Sequence, residues 1–65
     1  MMIDGKEIQK GEIVHFKSDV EQCGIVERIG GNFLVLKARD ESGFDGDYIG
    51  GGMFVERHKS DCWLE

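Results

Sequence analysis

Residues 24–36 read Gly24-Ile25-Val26-Glu27-Arg28-Ile29-Gly30-Gly31-Asn32-Phe33-Leu34-Val35-Leu36, two β-prone runs on either side of a Gly30–Gly31–Asn32 break. Glycine and asparagine tolerate the positive φ that a tight hairpin turn with matching twist requires. The flanking Val, Ile and Phe suit a pleated, half-buried surface. The stretch predicts a β-hairpin, and the hairpin sets the class of the domain.

Outward from it the pattern repeats. Before the hairpin, Glu12 to Lys17 alternates, with Val14 and Phe16 on one face and His15 and Lys17 on the other. That is the period of two of a half-buried strand. Ser18-Asp19 reads as a turn into a second strand, Glu21 to Ile29, where Cys23 and Ile25 share a face and Val26 opposes them. Gly24 inside this run marks a bulge or a close backbone approach. Asn32 to Ala38 is a third strand with apolar groups on both faces, as expected of a central strand or of one bent until both sides are covered. Met53 to His58 is a fourth strand, Lys59-Ser60-Asp61 a tight or 3₁₀ turn, and Cys62-Trp63-Leu64 a last short strand. The N-terminal segment is polar, broken at Gly5, with Ile3 and Ile8 available to pin it down. About four to six short strands with turn signals between them predict an all-β domain, either a small barrel or a strongly bent antiparallel sheet.

Glu12–Lys17 followed by the hairpin of residues 24–36 resembles the SH3-like small barrels, in particular the ribosomal-type KOW module. The likeness covers residues 12–38. It implies a barrel that touches RNA or an RNA-associated protein, and it carries no functional residue over. KOW modules are usually basic, whereas this chain has 13 acidic against 8 basic residues, a net charge of −5. An acidic balance disfavours nucleic-acid backbone and anionic membrane surfaces alike.

Sixty-five residues make one domain, and a chain of this size buries only about 60% of its unfolded surface, so a partner or a second copy would help it. The chain has no 18-residue apolar run, and its first residues lack the basic and apolar blocks of a secretion signal. It reads as a cytoplasmic, stand-alone unit starting at Met1, with Cys23 and Cys62 as free thiols.

Four groups of residues offer candidate chemistries. Cys23, Cys62, His15 and His58 would make a zinc ligand set, but the paired spacing that preorganises a tetrahedral site is absent; Cys23 then reads as buried filler and the histidines as surface groups. Asp40, Glu41, Asp45 and Asp47 supply hard oxygens for calcium, at spacings unlike an EF-hand loop. The glycines at 43, 46 and 50–52 lead into a strand rather than the helix N-terminus a phosphate loop needs. Cys62 lies near His58 and Asp61, yet neighbouring acids raise a thiol pKa instead of activating it. No metal, no cofactor and no enzymatic activity are expected.

The segment 39–52 is the odd one, with six charged or serine residues, five glycines and only Phe44, Tyr48 and Ile49 as large apolar groups. Long loops of this kind often carry binding function. Two readings compete. Phe44 and Ile49 fold back to plug one end of the barrel while Trp63 seals the other, or Phe44, Asp45, Asp47 and Tyr48 meet a partner. The functional expectation is a small acidic protein-binding module, a regulator of the kind phages and mobile elements encode, presenting these residues to a basic protein surface. The alternatives are a nucleic-acid-associated KOW-like module and a structural protein that self-assembles through strand edges.

Overall fold

The Gly31–Asn32 pair closes the hairpin between strand β4 (Glu21–Gly30) and strand β5 (Phe33–Lys37), with Gly30 opposite Phe33. Gly31 takes φ of 59°, the left-handed region that glycine enters without steric penalty. Asn32 does not share it, so a single positive-φ residue at the first central position makes the turn. The computed structural model describes residues 1–45 and 51–65.

Five strands form one antiparallel sheet, in the order β6 (Phe54–His58), β5, β4, β3 (Ile13–Lys17) and β7 (Cys62–Trp63). Each was expected within a residue or two. A single 3₁₀ turn at Lys59–Asp61 reverses the chain between β6 and β7, its Ser60 amide capped by the His58 ring, whose Nδ1 accepts from that N–H at 3.1 Å. β7 then pairs with β3 through His15–Trp63 and Phe16–Cys62. The edge strands β6 and β7 do not pair with each other, so among the described residues the sheet is open and closes no barrel.

The bulge lies at Glu27 rather than at Gly24: the register shifts between Val26, opposite Leu36, and Arg28, opposite Val35. Such an insertion bends a strand and increases its twist. Gly24 serves the other expected purpose. A Cβ there would stand 3.0 Å from Leu36 Cβ and 3.0 Å from Phe44 Cζ, so glycine is what lets the neighbouring strand and a loop aromatic close over β4.

A second, two-stranded sheet joins β1 (Met2–Ile3) to β2 (Lys6–Glu7) around Asp4-Gly5. Both turn residues have positive φ, 53° and 76°, as a two-residue type I′ turn demands. The hairpin delivers Ile3 and Ile8 to the core. There they join Val14, Phe16, Val26, Leu34, Leu36, Ala38, Phe44 and Cys62 in one buried cluster.

Alternation thus sends one face of every long strand inward. Among the described residues, large apolar side chains of the other face stay exposed. β5 has a neighbour on each side, yet Phe33 remains 47% exposed, and Phe54 of β6 is 56% exposed. Trp63 likewise lies on this outer face, stacked on His15 with centroids 6.3 Å apart, and does not seal an end of the core.

Candidate interaction site

The segment following β5 is stitched to itself at its base. The Ala38 amide donates to Met53 O at 2.8 Å, Phe44 N–H donates to Gly52 O at 2.9 Å, and Gly51 N–H donates to Phe44 O at 3.1 Å. Asp40 opens the segment by accepting from both the amide and the hydroxyl of Ser42. These two bonds hold its carboxyl below the usual carboxylate range, so it stays ionised. Gly43, at φ of 81°, approaches Gly51 so closely that a Cβ would fall 2.1 Å from Gly51 O. No other residue type fits that crossing.

Phe44 is driven inward by this geometry. It is 3% exposed and meets Phe16 edge-on, the plugging role rather than that of an exposed aromatic. Asp45, one residue later, points the other way and is exposed. Gln22 of β4 fixes it there: Gln22 Nε2 donates to Asp45 O at 3.0 Å, and the Asp45 amide donates to Gln22 Oε1 at 2.9 Å. This reciprocal pair imitates a rung of a β-ladder with one side chain. Of the four residues expected to meet a partner, the structure therefore places Phe44 in the core and Asp45 on the surface; Asp47 and Tyr48, like Ile49, lie outside the described residues.

Between β4 and this segment an open cleft of about 490 Å³ is lined by Glu21, Cys23, Arg39, Asp40 and Asp45, with Phe44 behind them. The Arg39 guanidinium is engaged with Cys23, Nη1 standing 3.4 Å from Sγ. Three acidic residues line the cleft against one cation, itself engaged. Sequence reading missed Glu21 and Gln22 because nothing local marks a strand residue that a loop twenty positions later will meet, and missed Arg39 because its partner Cys23 lies sixteen positions earlier, on β4.

The sequence-level catalytic and metal candidates are scattered by the fold. Cys23 and Cys62 are both free thiols. They sit on opposite faces of the sheet, since Cys23 is level with His15 and Cys62 with Phe16. Cys62, not Cys23, is the buried one, and burial pushes its thiol up to about 11. The His58 ring is taken up by Ser60 and lies edge-on to Phe33. Among the described residues no three His, Cys, Asp or Glu side chains gather as a metal site, and no helix is long and apolar enough to cross a membrane.

Compared with protein-family models, with curated proteins and with solved structures, the chain shows no significant match to any of them.

Proposed function

We propose that this chain is a non-catalytic cytoplasmic binding module for a protein partner, and that the partner presents a basic side chain to the acidic cleft. One observation carries the reading: Glu21, Asp40 and Asp45 line a single open cleft of about 490 Å³, at which Gln22 already holds the Asp45 backbone. A lysine or arginine entering it would meet carboxylates on several sides and the apolar flank of Phe44 behind. Because Gln22 orders Asp45 beforehand, little conformational entropy is lost on docking. The net charge of −5 would steer a basic surface toward the site and speed encounter at low salt.

We further propose that the sheet is an SH3-like barrel left open. Support comes from the return of β7 through one 3₁₀ turn to pair with the first long strand.

The test is a titration of the ¹⁵N-labelled chain with a lysine- and arginine-rich peptide, followed by amide shifts. Shifts should concentrate at Glu21, Asp40 and Asp45, and Asp45→Lys with Asp40→Lys should weaken binding about tenfold or more. Shifts spread evenly over the surface, or binding indifferent to both substitutions, would sink the reading.

A further inference from the structure

The face of the sheet turned away from the core carries three of the exposed large apolar side chains, Ile13, Phe33 and Phe54. Cross-strand register sorts this face into rows over β4, β5 and β6. One row runs Arg28–Val35–Glu56: a cation, an aliphatic group and an anion. On one side of it lies Ile25–Lys37–Phe54, on the other Gly30–Phe33–His58. Met1 amine–Glu7, Lys6–Glu12 and His15–Glu65 are ion pairs within the chain. Arg28 and Glu56 take part in none of them.

We propose that this face binds a second copy of the chain through a two-fold axis lying along β5. A half-turn about that line keeps every residue at its height on the strand and exchanges β4 with β6. Arg28 of each copy then stands over Glu56 of the other, and Ile25 over Phe54. Val35 and Phe33 meet their own counterparts in the middle. The row is charged with opposite sign at its two ends, so the face is complementary to itself, as a two-fold contact requires. A half-turn across the strands would instead set Arg28 on Arg28. The charge order therefore selects the aligned packing of sheet on sheet. Lys37 meets Lys37, and its long stem lets the ammonium reach the rim and stay hydrated. Three short strands make a small contact, so the dissociation constant should be roughly 0.1–1 mM. The acidic cleft lies outside these rows, and the two proposals stand or fall separately.

The experiment is sedimentation equilibrium of the full chain from about 10 μM to about 1 mM at physiological salt. It compares wild type, Arg28→Glu, Glu56→Arg and an equimolar mixture of the two variants. Both side chains are exposed, and circular dichroism checks that each variant keeps its fold; Arg28→Gln and Glu56→Gln carry the same comparison if a reversal does not. Wild type should associate, each single reversal should weaken association about tenfold or more, and the mixture should restore it, because opposite charges again face each other at both ends. A wild type that stays monomeric throughout would overturn the proposal. So would association that neither reversal weakens. Fluorescence anisotropy with a labelled single-stranded oligonucleotide supplies the remaining arm: binding by a monomer, lost in Lys37→Glu, would assign the face to nucleic acid instead.

Discussion

The ring of Phe44 meets that of Phe16 edge-on, with centroids 5.3 Å apart and planes at 77°. Phe16 belongs to a central strand and Phe44 to the long loop, so this contact anchors the loop in the core, beside the bonds that Gln22 makes to Asp45. Edge-to-face pairs add about 0.5–1.5 kcal/mol beyond the area they bury. Phe44→Ala should cost about 3–5 kcal/mol, as for other buried aromatics, a large share of the stability of so small a domain. Urea denaturation followed by circular dichroism measures it; a loss under about 1 kcal/mol would show that Phe44 does not hold the core together.

Gly24 and Gly30 lie on the same strand and make an internal control. A Cβ at Gly24 would crowd Leu36, Phe44 and the Lys37 carbonyl at 3.0–3.1 Å, while one at Gly30 would touch nothing within 4 Å. Gly24→Ala should destabilise by about 1–3 kcal/mol. Gly30→Ala should stay within about 0.5 kcal/mol of wild type. Equal thermal midpoints for the two variants would refute the close-approach account.

Gln22→Ala removes both hydrogen bonds to the Asp45 backbone. The bonds are solvent-exposed, so global stability should fall by only about 1 kcal/mol. Hydrogen exchange at the Asp45 amide should accelerate much more than exchange within β4 and β5. Unchanged protection at Asp45 would mean that the amide is held by something other than Gln22.

The Cys62 thiol has an ordinary value of 9.0 in the unfolded chain and about 11 in the folded one, with burial the main cause and Asp61 adding to it. The folded state thus keeps its proton where the unfolded state has lost it. Stability from this group is complete below pH 9 and is lost as the pH climbs from 9 toward 11. The difference in stability between wild type and Cys62→Ala should shrink across that window. In the native chain at pH 8, a thiol reagent should modify the half-exposed Cys23 and spare Cys62, which mass spectrometry would read directly.

Much of the fold was legible because it is local. Gly30-Gly31-Asn32, Ser18-Asp19 and Lys59–Asp61 mark their own turns, and alternation from Val14 to Phe16 or Leu34 to Leu36 marks its own face. What escaped is set by pieces distant in sequence. Alternation told that Phe33 and Val35 share a face, but not that Phe33 would remain exposed on a strand with a neighbour on each side. Trp63 was expected over the core end, yet its level pairing with His15 sends it outward. Gly24 could be read as a bulge or a close approach; only the arrival of Phe44, twenty residues on, decides between them. In the cleft, Asp45 was legible as an exposed acid in a loop. Gln22 and Glu21 were not, because their role depends on where that loop lands.

The Asp4 carboxylate, at the tip of the first hairpin, accepts the amide of Leu64 at 2.7 Å across 60 positions of sequence. The beginning and end of the described chain are thereby clasped. Fraying at one end should loosen the other.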